Sequence, residues 1–67
     1  MLSLTINGQP RHLPQALTLT QLLDELSLAG KRVAVEYNGE IVPRGQHADT
    51  VLHDGDRIEI VVAVGGG

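Results

Sequence analysis

Alternating apolar and polar residues predict β-strands near both ends of the chain. In the opening segment MLSLTI, every second residue from Leu2 to Ile6 is apolar, which is typical of a strand with one buried face. The segment RIEIVVAV, residues 57–64, repeats the pattern more strongly, with isoleucine or valine at each even position. Its other face carries a mixed set of residues: Arg57, Glu59, Val61 and Ala63.

Two Asn-Gly pairs predict tight hairpin turns, because both residue types tolerate positive φ. The first pair, Asn7 and Gly8, precedes QPRHLP, whose prolines cannot donate ladder hydrogen bonds and so favour a short strand at a sheet edge. The second pair, Asn38 and Gly39, separates VAVEY from a short returning strand that ends at Pro43. We therefore expect two hairpins.

A leucine-rich segment between the hairpins predicts one amphipathic helix. Thr18 followed by Gln21 is a capping-box pattern at its start. Leucines at positions 19, 22, 23 and 26 form one apolar stripe. We expect Gly30 to cap the C-terminus, with Lys31 and Arg32 near the negative end of the helix dipole.

The order of elements predicts an α+β fold in which one helix covers one face of a mixed sheet of four to five strands. The polar segment after Pro43 has room for a short helical turn at residues 46–49, and Asp54, Gly55 and Asp56 form a predicted turn before the last strand. The first and last strands are the most apolar, and we expect them to form a parallel central pair.

Composition limits the classes of function. Sixty-seven residues provide a single domain, without cysteine for a disulfide or a thiolate site. The net charge of −3 and the single aromatic residue, Tyr37, argue against a nucleic-acid binder. The longest apolar run is too short to cross a membrane. We therefore expect a cytoplasmic protein with neither nucleic-acid nor membrane partners.

The chain offers little material for chemistry of its own. The histidines, His12, His47 and His53, lie on separate segments without the spacing of a metal site, and we interpret each as a surface residue. The HDGD stretch lacks the further oxygen ligands of a calcium loop. We predict no catalytic residue and no metal site.

The C-terminal glycines are the unusual feature of the sequence. Three glycines follow the strongest predicted strand without a polar spacer. The interpretation as a frayed end competes with that of a projecting tail, since glycine pays a large entropic cost for ordering. Val61 and Ala63 fall on the face opposite the helix, where they are either ordinary surface or part of a docking patch.

The whole chain resembles the family of ThiS-type sulfur carriers, which are related in fold to ubiquitin and to the molybdopterin sulfur carrier MoaD. The resemblance rests on five segments: MLSLTINGQ, TLTQLLDEL, VAVEYNGEIVPR, LHDGDRIEI and the final Gly66-Gly67. It implies a ubiquitin-like β-grasp domain over residues 1–64 and a flexible glycine tail over residues 65–67. Gly65 departs from the family, where many members carry a side chain.

The resemblance also implies a role. A ThiF-like adenylyltransferase would use ATP and Mg²⁺ to adenylylate the carboxyl group of Gly67, and sulfur from a cysteine desulfurase would convert it to a thiocarboxylate for a ThiG-like thiazole synthase. The carrier would be a co-substrate without a permanently bound cofactor. Gly65 and Gly66 would thread a narrow channel because they lack Cβ. The expected partner contacts are Glu59, Val61, Val62, Ala63 and Val64.

Three alternatives stay open at the level of sequence. A molybdopterin-synthase small subunit would use the same tail chemistry, although such chains are usually longer. A β-grasp sulfur carrier of another pathway would look the same. A β-grasp RNA-binding module would share the fold without the tail chemistry, and the acidic charge counts against it.

Overall fold

The computed structural model describes residues 1–63 and contains five strands and one α-helix. The prediction of an α+β fold is confirmed. A 3-10 helix, Arg44–Asp49, follows the fourth strand in the region where a helical turn is predicted. The remaining elements are β1 Leu2–Ile6, β2 Gln9–Leu13, α1 Leu19–Glu25, β3 Val33–Tyr37, β4 Glu40–Val42 and β5 Arg57–Val62.

The five strands form one mixed sheet in the order β2-β1-β5-β3-β4. β5 lies in the middle, parallel to β1 and antiparallel to β3, so the predicted parallel pairing of the first and last strands is confirmed. The edge position predicted for the proline-containing strand β2 is also confirmed. The last strand in sequence is therefore the strand on which the sheet is organised.

Both Asn-Gly turns adopt the predicted conformation. Asn7 and Gly8 have φ angles of 51° and 81°, and Asn38 and Gly39 have φ angles of 51° and 89°. Two consecutive residues with positive φ match the twist of a two-residue hairpin. The two turns lie at the same end of the sheet, on either side of the start of β5, because the main-chain nitrogen atoms of both asparagines donate to β5.

Helix α1 begins as predicted but ends earlier. The side chain of Thr18 accepts from the Gln21 amide, and the Gln21 side chain accepts from the Thr18 amide (2.9 Å), which completes the capping box. The prediction that Gly30 caps the helix is wrong, since the C-cap is Leu26 and Ser27 takes the left-handed conformation (φ 61°). The amides of Ser27 and Leu28 close the helix on Asp24 and Leu23, in a Schellman arrangement.

Lys31 and Arg32 therefore do not lie at the end of the helix dipole as predicted. The last turn of α1 contains no basic residue, and the helix ends at Glu25, six residues before Lys31 in the sequence. Gly30 has a φ of 80°, but it serves the loop that leads into β3. The sequence pattern misplaces the cap because Ser27 adopts a conformation that is uncommon for a residue with a side chain.

The core lies between α1 and one face of the sheet. Leu19 and Leu22 of the helix are 0% and 1% exposed, and the leucine stripe predicted for the helix is thus confirmed on its buried side. Burial of such a side chain stabilises the fold by about 2 kcal/mol. Leu23 of the helix also belongs to the core. The remaining core residues come from the sheet and its connections: Leu4, Ile6, Leu13, Leu17, Val35, Leu52, Ile58 and Ile60.

The expectation that every histidine lies on the surface is wrong for His47. Its side chain belongs to the 3-10 helix, which packs against α1, and only 5% of its surface is exposed. Nε2 donates to the carbonyl oxygen of Val42 (3.1 Å), which satisfies one ring nitrogen. His12 and His53 are exposed, as expected.

Candidate functional site

The start of β5 is held by a buried carboxylate. Asp56 is 8% exposed, and its oxygen atoms accept from the Tyr37 hydroxyl, from Asn38 Nδ2 (3.1 Å) and from the His53 amide (2.7 Å). The predicted turn before β5 is confirmed at residues 54–55, where Gly55 has a φ of 88°. Asp56, the residue after this turn, therefore joins the start of β5 to the end of β3 and to the second hairpin turn.

These contacts change the ionisation of two residues. Burial of the Asp56 carboxylate opposes its charge, but the hydrogen bonds from Tyr37, the His53 amide and Asn38 outweigh burial and lower the pKa of Asp56. Burial raises the pKa of Tyr37 to about 12, with the hydrogen bond to Asp56 and its negative charge acting in the same direction. At neutral pH, a neutral phenol thus donates to an ionised carboxylate.

The middle of β5 is held by the first hairpin turn. The paired residues of β1 and β5 end at Ile6 and Ile58, and the side chain of Asn7 continues the ladder for one more step. Asn7 Oδ1 accepts from the Ile60 amide (2.7 Å), and Nδ2 donates to the Ile60 carbonyl oxygen (3.2 Å). Asn7 thus takes the place of a strand residue beside Ile60.

The end of β5 is exposed. Val61 and Val62 have 64% and 43% of their surface exposed, and Ala63 is also exposed. On the β3 side the strand stays fastened, since Val62 pairs with Val33 and the Ala63 amide donates to the carbonyl oxygen of Arg32 (2.8 Å). Backbone pairing therefore fixes the direction of the strand, while its side chains stay accessible.

The expected site residues divide into two groups. The first group lies on the exposed last part of β5 and the residue after it: Glu59, Val61, Val62 and Ala63. Val62 belongs to the register that points toward the core, yet it is accessible, unlike Ile58 and Ile60 of the same register. The expectations for Val64 and for the tail residues Gly65, Gly66 and Gly67 lie outside the described residues.

The open face of the sheet places further residues beside the expected site. Cross-strand register places Ala34 beside Val61 and Glu36 beside Glu59. Ile41 of β4, 66% exposed, lies beside Glu36 on the other side. The face thus combines exposed apolar side chains with two adjacent carboxylates. The position of Ile41 can be derived from the sequence, because a two-residue turn at Asn38 and Gly39 fixes the register that places Ile41 opposite Glu36.

Two further observations concern other classes of site. Within residues 1–63, no three histidine, aspartate or glutamate side chains lie close enough together to hold a metal ion. In the same part of the chain, the helices are too short or too polar to pass through a bilayer.

The mixed five-stranded sheet with one helix on its inner face defines the class of protein, a ubiquitin-like β-grasp protein. The crystal structure of the thiamine biosynthesis protein ThiS from Geobacter metallireducens has the same fold, with a TM-score of 0.84 and 38% identity over 98% of this chain and 100% of that one. The family model named ThiS family matches residues 4–67. The chain belongs to the ThiS family.

Two relatives differ greatly in length. The sulfur carrier protein ThiS of Thermus thermophilus is 39% identical over 62 residues, which make up 92% of this chain and 95% of that protein. A thiazole synthase from Paramagnetospirillum magneticum is 44% identical over 66 residues, or 98% of this chain. This chain spans 20% of the length of that thiazole synthase. A segment similar to this chain thus occurs both as a small protein and within a larger one.

Proposed function

We propose that this protein is a sulfur carrier of thiamine biosynthesis and that its sulfur is carried on the terminal carboxyl group of Gly67. The observation that carries the proposal is the match to the ThiS family, which continues through the glycines to residue 67. The exposed end of β5 supports it, because a strand that is fastened on the β3 side leads directly toward those glycines.

The proposed chemistry begins with activation, because a carboxylate is a poor electrophile. A carboxylate oxygen of Gly67 attacks the α-phosphorus of MgATP on a ThiF-like adenylyltransferase, and pyrophosphate leaves. The terminal sulfur of a persulfide, supplied through a cysteine desulfurase, then attacks the carbonyl carbon and displaces AMP. A thiol cleaves the resulting S–S bond, which leaves the thiocarboxylate on Gly67 and a disulfide on the donor side. The carrier itself contributes no catalytic group.

A thiazole synthase is the proposed acceptor of the sulfur. The support is the segment 44% identical to this chain within a protein named thiazole synthase, since two functions joined in one polypeptide commonly act together. In this scheme the exposed residues Glu59, Val61, Val62 and Ala63, followed by Val64, contact the partners, while Gly65 and Gly66 pass through the narrow entrance of the active site.

Intact-mass spectrometry tests the tail chemistry. The purified chain, incubated with the adenylyltransferase, MgATP, the desulfurase and cysteine, should gain the mass difference between sulfur and oxygen on the fragment that contains Gly67. A variant that lacks Gly67 is the matched control and should keep its mass. The proposal fails if the complete mixture leaves the full chain unchanged, or if the added mass lies on another residue.

A substitution at the end of β5 tests the docking surface. Ala63→Asp should leave the free energy of unfolding within about 0.5 kcal/mol of the wild-type value, because the side chain is exposed. Adenylylation should fall at least tenfold, since the new charge would be desolvated against the partner. Gln9→Asp, an exposed change on β2, is the control. Equal adenylylation rates for the two variants would exclude the end of β5 from the interface.

A further inference from the structure

A groove lies beside α1, on the side of the molecule where β5 ends. It has a volume of about 180 Å³ and is formed by the end of the helix, the loop into β3 and the 3-10 helix. Leu23, Leu28 and Val33 supply apolar walls, whereas Lys31, Arg44 and His47 supply nitrogen atoms. The residues that line it include no aspartate or glutamate.

The groove is close to the end of β5. Val33, one of its walls, is the register partner of Val62. The next residue toward the helix, Arg32, accepts the amide of Ala63 through its carbonyl oxygen (2.8 Å). A partner that receives the residues after Ala63 would therefore come within reach of the groove.

The charges of the groove are not neutralised within residues 1–63. In that part of the chain, neither Lys31 nor Arg44 has a carboxylate within 4.0 Å, and the one recorded ion pair joins His53 to Asp56. His47 is 95% buried and donates through Nε2 to Val42, so the positive charge of the groove comes from Lys31 and Arg44. The protein has a net charge of −3, but the charge of the groove is positive. A positive groove favours an acidic occupant.

We propose that this groove receives an acidic side chain from the protein that accepts the tail. The aliphatic part of a glutamate or aspartate side chain would pack on Leu23, Leu28 and Val33, and its carboxylate would lie between Lys31 and Arg44. This inference rests on the proposed function for the existence of a tail-accepting partner. It assigns that partner a feature that the tail chemistry does not require: an acidic residue outside the channel that holds the glycines.

Zero-length crosslinking offers a sharp test, because Lys31 is the single lysine of the chain. A carbodiimide joins an amine to a carboxylate in direct contact, with loss of water. In the complex with the adenylyltransferase or the thiazole synthase, peptide mass spectrometry should find Lys31 joined to a partner aspartate or glutamate. The control is the double variant Lys31→Arg and Arg11→Lys, which keeps the net charge and moves the amine to β2. That variant should give no such crosslink to the same partner residue.

Charge reversal provides the affinity measurement. Lys31→Glu combined with Arg44→Glu should weaken binding of the partner at least tenfold at low salt, and the difference should shrink as salt is added. Arg11→Glu, an exposed change on the far edge of the sheet, should stay within about twofold of the wild type. The free energies of unfolding of all variants are measured alongside, so that loss of fold is not taken for loss of binding.

The outcomes separate this inference from the proposed function. If the carrier becomes thiocarboxylated while the charge reversals leave affinity unchanged, the groove proposal is overturned and the carrier function stands. If no added sulfur is found, the carrier function itself fails. Sedimentation that reveals a dimer dissociated by the charge reversals would assign the groove to a second copy of the chain, which also overturns the proposal.

Discussion

The two ends of β5 differ in how they are held. At the start, a buried carboxylate and two hairpin turns surround the strand. The amides of Thr5 and Asn7 donate to Asp56 and Ile58 on one side, and Asn38 exchanges two hydrogen bonds with Arg57 on the other. At the finish, pairing continues with β3, and the side chains of Val61 and Val62 are exposed. The strand is thus anchored at its start, whereas the side chains at its end are left accessible. Under the proposed function, stability and partner binding would depend on different ends of one strand.

The largest expected effect is at the anchored end. Asp56→Ala leaves the donors of Tyr37, Asn38 and the His53 amide without their acceptor, and it should lower the free energy of unfolding by roughly 3 kcal/mol. Urea denaturation measures the change. Asp54→Ala is the control in the same turn, because this exposed carboxylate accepts from the Ser3 amide alone, and its loss should cost about 1 kcal/mol or less. Equal losses would show that Asp56 is not the anchor.

Alkaline pH should destabilise the start of β5 less than Asp56→Ala does, because ionisation of Tyr37 removes one of the three hydrogen bonds to Asp56. The pKa of Tyr37 is raised from 10.0 to about 12 in the fold, so the unfolded chain releases the proton first. The free energy of unfolding should thus be unaffected by this group below pH 10 and should fall as the pH rises from 10 to 12.

Tyrosinate absorbance follows this titration directly, since Tyr37 is the single aromatic residue. In the folded variant Asp56→Asn, the apparent pKa should move back toward the ordinary value because the charge of Asp56 is gone. A wild-type titration with a midpoint near 10 would contradict the proposed contact. At acid pH the sign is opposite. Because the fold lowers the pKa of Asp56 from 3.8, this carboxylate stabilises the fold fully at pH values above 3.8, and the stabilisation is lost as the pH falls further.

A smaller effect is expected in the middle of β5. Asn7→Gly keeps the positive φ of the turn but removes both bonds to Ile60, and it should lower the free energy of unfolding by about 1–2 kcal/mol. Hydrogen exchange of the Ile60 amide should accelerate more than that of Arg57. In Asn38→Gly, which removes the bond to the Arg57 amide, the order should be reversed. The same pattern in both variants would mean that β5 opens as one unit.

The smallest effect is expected on the open face of the sheet, where β3 and β5 pair near the exposed end of β5. Glu36 and Glu59 lie directly opposite each other, and like charges in that position repel. Glu59→Gln should raise the free energy of unfolding by about 0.2–0.5 kcal/mol. Glu40→Gln, which removes a carboxylate opposite Tyr37, is the matched control and should give no gain. A larger gain in the control would show that net charge, not the pair, limits stability.

Local signals in the sequence predict most of the framework. The capping box of Thr18 and Gln21, the two Asn-Gly turns and the prolines of the edge strand each act within a few residues, so their consequences are readable directly. The parallel pairing of β1 and β5 follows from their apolar character and the handedness of the crossover. These features predict the two hairpins, the edge position of β2 and the central pair, whereas the pairing of β3 with β5 is found only in the structure.

Contacts between distant residues are what the sequence does not reveal. Asn7 and Asn38 are recognisable as turn residues, but their side chains bind β5 at positions 53 and 19 residues away. His47 looks like a surface histidine until the 3-10 helix packs on α1, and Ser27 replaces Gly30 at the cap because the chain turns early. In the candidate site, the exposure of Val61 is predictable from alternation, but that of Val62 is not, because Val62 shares the register of the buried Ile58 and Ile60. Ala34 and Ile41 join the site through cross-strand register.

The central position of β5 has a consequence for protein synthesis. A ribosome completes β1, β2, α1, β3 and β4 before it reaches the strand that separates β1 from β3. A chain interrupted before Arg57 therefore lacks Ile58 and Ile60 and has no middle on which its outer strands can assemble. The middle of the sheet can therefore form only after residues 57–62 have been synthesised. The topology thus makes folding depend on β5, and a chain that lacks this strand is expected to stay unfolded and open to proteolysis.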